Sequence, residues 1–300
     1  MTAITRFEES VAEAVGKAGL TGSNITVAIS GGPDSTAMLL ALNRTRAETG
    51  VSIKGAHLEH GIRGEESKSD AEHVKHLCKS INVECFFGAV DVPSLSKAMG
   101  LSLEDAARRA RNRFFLEACA DQNSEAVALG HTANDQSETI LMHLIRGSGL
   151  DGLTGMKLLS DRVIEKDPTL RVFRPLLEIA RTDIEAYCAA VDETPRIDST
   201  NLSDEYTRNA VRHNLLPALE NFNPRIADAL NRLAISARRD LEFIEEASYG
   251  AWVAAADVEH GIVTIDLDKL TDLPESLSYR LIRKAIGIIK GNLNDITLDH

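Results

Sequence analysis

Four cysteines in 300 residues, Cys78, Cys85, Cys119 and Cys188, show no CxxC spacing. That excludes a disulfide framework, a zinc ribbon or an iron–sulfur motif read from spacing, and it points to a reducing, cytoplasmic environment. No apolar run approaches the ~18 residues that span a bilayer, so no membrane association is expected. The N-terminus lacks the basic-then-apolar order of a secretion signal. Internal repeats and low-complexity tracts are absent too. A formal net charge of −12 argues against a generic polyanion-binding surface. What remains, 43% hydrophobic and 26% charged, is an ordinary soluble composition, long enough for one large domain and a smaller one.

The most informative stretch is ITVAISGGPDS at 25–35, followed by TAMLL. An apolar strand that breaks at paired glycines and opens a helix makes an anion pocket, because the first helical N–H groups lack internal partners and the helix dipole is positive there. Gly31 and Gly32 allow close backbone approach, and the hydroxyls of Ser30 and Ser35 can donate to phosphate oxygens. Without a lysine the loop does not fit GxxxxGK[ST]. Asp34 would repel a phosphate unless a cation lay between them, which points to a magnesium-bridged nucleotide.

Strand-like runs at 25–30, 51–58, 83–90 and 125–130 alternate with helical patterns at 36–48, 67–80 and 102–121. Repeated β-then-α order predicts an α/β fold with a doubly wound, mostly parallel sheet. Ligands in such sheets bind beyond the carboxyl ends of the strands. The polar segments 30–35, 59–67 and 131–136 fall there together. A strand pair near 162–165 and 170–173, a helix at 181–190 and a polar loop at 198–204 follow. Beyond Pro217 the pattern becomes mainly helical, with apolar spacing over 226–256, a short strand at 262–267 and a helix at 277–289. The expected division is 1–217 and 218–300, a smaller mainly helical domain.

HTANDQSET at 131–139 is the second feature. Asp135 suits a helix N-cap and Glu138 a capping-box variant. Equally, His131, Asp135 and Glu138 would present polar groups beside the Ser30 loop, to hold a metal or orient an amine. HxxH spacings at His57/His60 and His73/His76 lack a third soft ligand, so zinc is not indicated. His73 and His76 read as an exposed helix face, and His57 and Arg63 as nucleotide or substrate contacts. Arg108 and Arg111 stand one helical turn apart, and Arg208 and Arg212 form a later basic pair. Each pair reads either as a solvated face or as a grip on phosphate.

Together these segments resemble the PP-loop (N-type) ATP pyrophosphatases and, among them, the tRNA(Ile)-lysidine synthetases. The resemblance rests on SGGPDS at 30–35, HLEHGIR at 57–63, EDAARRAR at 104–111, LGHTANDQSET at 129–139, RGSGLDGLTGM at 146–156, RPLL at 174–177, DSTN at 198–201 and RNAVRHNLLP at 208–217. SGGPDS marks only the superfamily; the later blocks in this order are more specific. Family members usually carry tyrosine where this chain has Asn112. Many relatives also continue into a further tRNA-contacting region, whereas this chain ends at His300 where another helix is expected, leaving a truncated chain and a short form both open.

The resemblance implies an adenine nucleotide alpha-hydrolase-like fold with ATP and Mg2+ as cofactors. It implies isoleucine tRNA with a CAU anticodon and free lysine as partners, and it is compatible with a homodimer. ATP would adenylate C2 of the wobble cytidine, and lysine's ε-amine would then displace AMP. The rival from the same superfamily is a base thiolase, which would need cysteines for sulfur relay; a further rival is a non-catalytic nucleotide- or RNA-binding protein. By similarity Ser30, Gly31, Gly32, Pro33, Asp34, Ser35, His57, Gly130 and His131 would bind ATP, with Asp34 also meeting magnesium. Asp135 and Glu138 would orient or deprotonate lysine's amine, and Arg111 and Arg208 would stabilise phosphate or the activated base. Arg63, Arg108, Arg174 and Arg212 would contact tRNA or substrate.

Overall fold

The computed structural model describes residues 2–61, 65–164, 169–196 and 206–291. The chain begins α1 (Ala3–Lys17), β1 (Asn24–Ala28), α2 (Pro33–Thr49), β2 (Ser52–Glu59), α3 (Glu65–Ser80), β3 (Cys85–Ala89). It continues α4 (Val92–Met99), α5 (Leu103–Asp121), β4 (Ala126–Ala128), α6 (Ala133–Ile145) and a short α7 (Leu150–Leu153). The hairpin β5 (Leu159–Val163) and β6 (Thr169–Phe173) leads to α8 (Arg181–Ala190). Then come α9 (Tyr206–Ala210), a π turn (Val211–Leu215), α10 (Leu216–Glu220) and α11 (Ile226–Ala255). The last elements are β7 (Ala256–Glu259), β8 (Ile262–Ile265), α12 (Leu267–Thr271) and α13 (Glu275–Lys290).

The six-stranded sheet runs β3-β2-β1-β4-β6-β5, parallel throughout except for β5 against β6. From β1 the chain winds outward to β2 and β3, then returns to place β4 on the other side of β1. Strand order therefore reverses between β1 and β4, where a crevice opens at the carboxyl ends. Both strands are buried through their middles (Ile25, Thr26, Val27; Ala126, Val127, Ala128), as a sheet covered on both faces requires. The hydroxyl of Thr26 is satisfied by Gln122 Oε1 at 2.7 Å, and Gln122 donates onward to the Gly55 carbonyl at 2.8 Å.

One core holds Phe7, Leu20, Leu39, Val74 and Tyr187, contributed by α1 and the turn after it, α2, α3 and α8. The other packs Phe114 and Phe115 of α5 against Val127, Leu170 and Val172. Helix α2 is buried continuously from Ser35 to Leu42. A helix apolar all round belongs in the interior, and this one fixes the glycine loop that precedes it.

The chain divides into two compact units, residues 1–147 with 155–232, and residues 148–154 with 233–300. The second has a small core of Trp252, Ala255, Leu281 and Ala285, with the Lys284 ammonium 4.5 Å from the Trp252 ring centroid. Its β7–β8 hairpin turns at His260 and Gly261, both with positive φ, as a type I′ turn needs. The sequence pattern anticipates β8 but runs the preceding helix through β7's first residue. It also passes over α4, whose eight residues give barely two turns of periodicity between the Asp91 cap and Gly100. Among the described residues no helix is long and apolar enough to cross a membrane.

Candidate active site

The loop between β1 and α2 is built by its own side chains. Gly31 takes φ +90°, open to glycine and strained for any other residue. Gly32 is the α2 N-cap and makes no side-chain cap, and Pro33 occupies the first turn. By contrast α4, α5 and α6 are capped by Asp91, Ser102 and Thr132. The α2 N-terminus thus offers backbone donors and positive potential to an anion. The serine hydroxyls behave differently from expectation. Ser35 is buried and its Oγ donates to the Gly32 carbonyl at 3.1 Å, while accepting from the Ser30 N–H at 3.1 Å. Ser30 Oγ lies 3.1 Å from Ser35 Oγ and accepts from the Gly32 N–H at 3.3 Å. Both serines brace the loop.

Around this loop several buried polar atoms have no hydrogen-bond partner: Asp34 Oδ1, His57 Nε2, His73 Nε2 and His131 Nδ1. Burial pushes the Asp34 carboxyl from 3.8 up to about 6, partly countered by the Arg181 charge. His57 Nδ1 donates to the Ile29 carbonyl at 2.8 Å, and burial lowers its pKa, so the ring is neutral and Nε2 carries a lone pair. Nε2 is therefore an acceptor for an N–H group. His131 is driven down to about 4, chiefly by burial and further by Arg174, Arg208 and Arg111, with Asp135 opposing. It too is neutral. His73, which the sequence suggests lies on an exposed face, instead stands beside Gly31: a Cβ built there meets its ring at 3.6 Å. His76 is exposed as anticipated. Nothing in the local pattern distinguishes the two; the loop that His73 faces lies about 40 residues earlier in the chain.

Gly130, at the end of β4, explains how the two loops meet. A Cβ there would sit 3.2 Å from the Asp34 carbonyl carbon and the Ser35 nitrogen. Gly130→Ala must move the phosphate loop by a few tenths of an ångström. We expect the fold to survive and the KM for nucleotide to rise about tenfold, measured by steady-state kinetics.

Helix α6 begins one turn earlier than Asp135. Its N-cap is Thr132, and Asp135 is the reciprocal partner in a capping box. Asp135 Oδ2 accepts from the Thr132 N–H at 2.8 Å and from its hydroxyl at 3.0 Å, which aims Oδ1 away from the cap. Glu138 is 2% exposed and plays no capping part. Arg208 donates from Nε to Glu138 Oε2 at 2.8 Å and from Nη2 to Asp135 Oδ1 at 2.9 Å. Arg212 donates from Nε to Glu138 Oε1 at 2.6 Å, and from Nη2 to Oε2 at 3.0 Å and to Asp135 Oδ1 at 3.3 Å. One turn of carboxylates faces one turn of guanidiniums. The π turn carrying Arg212 has a cause: Pro217 has no N–H to return to the His213 carbonyl, and its ring crowds that position.

The remaining basic residues play different parts. Arg108 is tied to Asp105 of its own helix at 2.7 Å, an exposed i,i+3 pair. Arg111 is exposed on α5, with its charge felt at His131. Arg174 is 4% exposed and donates to the Lys157 carbonyl at 2.8 Å and Ser160 Oγ at 2.9 Å, leaving no open face for a polynucleotide. It holds the β5 hairpin, a reading the sequence misses. Asn112 accepts from Arg162 at 3.1 Å, bridging α5 to that hairpin. Arg63 and the segment 198–204 lie outside the described residues.

Among the described residues no three His, Cys, Asp or Glu side chains form a metal cage. The donor set instead suits a hard cation arriving with a polyphosphate: Asp34 Oδ1 is a buried carboxylate oxygen without a partner beside an anion pocket.

A family model described as a PP-loop domain matches residues 3–219. The chain is 37% identical over 281 residues to a tRNA(Ile)-lysidine synthase of Clostridioides difficile (strain 630), covering 93% of this chain and 59% of that one. It is 36% identical over 294 residues to one of Dehalococcoides mccartyi (strain CBDB1), covering 97% and 62%. The chain thus spans less than two thirds of the length of these curated relatives. A solved U34-tRNA thiolase from Methanococcus maripaludis superposes with a TM-score of 0.64 at 16% identity, covering 80% of each chain. That likeness is one of fold.

Proposed function

Because this chain belongs to the PP-loop family, we propose that it is an ATP-dependent ligase of the tRNA(Ile)-lysidine synthase kind. It joins free lysine to C2 of the wobble cytidine in isoleucine tRNA with a CAU anticodon. The observation that carries this reading is the carboxylate pair Asp135 and Glu138, set at the end of β4 beside the phosphate loop at the end of β1. A nucleotide binder needs the loop; an amine acceptor also needs such a pair. Similarity to enzymes of that name along nearly the whole chain supports the same reading.

In the first step the C2 oxygen of cytidine attacks the α-phosphate of ATP, the bond to the bridging oxygen breaks, and pyrophosphate leaves. The amide-like oxygen, a poor leaving group, becomes a phosphate ester. Backbone donors at Gly31 and the α2 N-terminus bind the departing pyrophosphate. Asp34 would hold Mg2+, which when bound offsets negative charge on the phosphates. Neutral His57 offers Nε2 as an acceptor for an exocyclic amine such as adenine's, and by similarity His131 and Gly130 would also contact the nucleotide. In the second step Asp135 and Glu138 bind lysine's ammonium and take a proton from it, since only the free amine is nucleophilic. The amine then attacks C2 and AMP leaves. Arg111 and Arg208 stabilise the charge on phosphate or activated base. Arg63, Arg108 and Arg212 are the candidate tRNA or substrate contacts.

Residues 1–217 would be the PP-loop domain, a division supported by the family match to 3–219, and 218–300 a tRNA-contacting domain. Four free thiols support a cytoplasmic location, and a homodimer is compatible with the reading. A sulfur-transfer alternative finds little support. Cys78 and Cys85, a pair that spacing alone does not suggest, do lie close together. Cys85 nevertheless begins β3, whose opposite end faces the site. Radiolabelled lysine should enter isoleucine tRNA and not methionine tRNA, with one pyrophosphate released per lysine; sulfur entering instead would overturn the reading. Asp135→Ala should retain part of the pyrophosphate release while losing most lysine transfer.

A further inference from the structure

The four charges at the end of β4 cancel. Asp135 and Glu138 bring two negative charges, Arg208 and Arg212 two positive, joined by five hydrogen bonds of 2.6–3.3 Å. Every carboxylate oxygen already accepts from a protein donor, Asp135 Oδ2 from Thr132 and the other three from arginine. A lysine ammonium entering this half-buried cluster would leave one cation in excess, and like charges so close in a poorly solvated place repel strongly. One arginine has to leave before the amine can settle.

The two arginines are not equivalent. Arg208 reaches one oxygen of each carboxylate from regular helix α9. Arg212 forks across both oxygens of Glu138, the grip that an ammonium would replace. It also projects from the π turn Val211–Leu215, where the i→i+4 ladder is already interrupted and a one-residue change of register disturbs less than it would in α9. Building on the carboxylate pair's role in the proposed reaction, we propose that Arg212 occupies the lysine seat in the resting enzyme as an internal stand-in for the substrate's ammonium. It vacates the seat when new negative charge gathers at the neighbouring phosphate loop. Lysine then binds only once there is an adenylated base for it to attack. Arg212 is on this account a positioning residue that orders the two steps.

The test is equilibrium dialysis of radiolabelled L-lysine against the full chain without ATP or tRNA. Wild type binds weakly, because the seat is free only a fraction of the time. Arg212→Met should bind lysine about tenfold more tightly, whereas Arg212→Lys, which keeps a cation there, should stay near wild type. Arg212→Gln is measured in parallel and decides the matter if the methionine variant does not fold. In steady state the neutral variants should show a lower KM for lysine together with a lower kcat, a split that loss of packing alone would not give. Equal or weaker lysine binding by the folded neutral variants overturns the proposal. Adding Glu138→Gln to Arg212→Met should erase the gain. A gain that persists would mean that the amine sits elsewhere, and the assignment of the carboxylate pair would fall with it. If instead Glu138→Gln alone raises the KM for lysine while Arg212→Met gives no gain, the pair's role stands and only the stand-in fails.

Discussion

Asp34→Asn is expected to cut pyrophosphate release from ATP by about 10³-fold and, in the nucleotide-free protein, to raise the melting temperature. Both effects have one origin. The Asp34 carboxyl is buried with Oδ1 unpartnered, and its pKa stands at about 6 against an ordinary 3.8. Between those values the folded protein holds a proton that the unfolded chain has lost, so stability falls as pH rises from about 4 to about 6 and stays lowered above it. At neutral pH the folded chain carries a charged carboxylate whose burial the Arg181 charge only partly offsets. Asparagine removes that penalty and with it the ability to hold a cation. Melting curves at about pH 4.5 and about pH 7.5 should show wild type losing stability between the two relative to Asp34→Asn. Pyrophosphate release that survives the substitution would remove Asp34 from the chemistry, and an unchanged melting temperature would remove the strain.

Glu138→Ala is the second large effect. Glu138 accepts three of the five bonds in the ion cluster and is 2% exposed, so truncation leaves two guanidiniums with Asp135 as their one remaining carboxylate of the cluster and opens a cavity. Removing one partner of a buried pair costs about 3–5 kcal/mol. Both arginines are 27% exposed and can turn toward water, which brings the expectation to about 2–3 kcal/mol. Lysine transfer should be lost in the same variant. Glu138→Gln separates the two roles: an amide keeps most of the volume and one acceptor, so the melting temperature should fall less, yet it neither attracts an ammonium nor takes its proton. A glutamine variant with wild-type lysine transfer would show that Glu138 serves the fold alone.

Much of this architecture was legible because the strands are short apolar runs separated by turn residues, and period and punctuation agree. Helix α8 begins and ends where its spacing places it, at 181 and 190. The phosphate loop was equally plain, since paired glycines between a strand and a helix have few other uses. The roles within the 131–139 segment were not. Thr132 to Asp135 and Asp135 to Glu138 both fit a three-residue capping pattern, and only arginines some 70 residues later decide between them. The same holds for Arg174, whose partners are a carbonyl and a hydroxyl of the facing strand region. It holds also for Asn112, which exchanges a bond with Arg162 where relatives usually carry tyrosine. Local pattern reports what a residue can do; its partner comes from topology.

Gly130 leaves no slack between the ends of β1 and β4. The proposed triphosphate cradle and amine seat consequently share a single gauge block, whose span neither flanking loop can adjust. A chain built this way cannot adopt a bulkier nucleophile by drifting its loops. It has to change the reach of a side chain instead, so lengthening Asp135 to glutamate should misplace the amine even though the charge is kept.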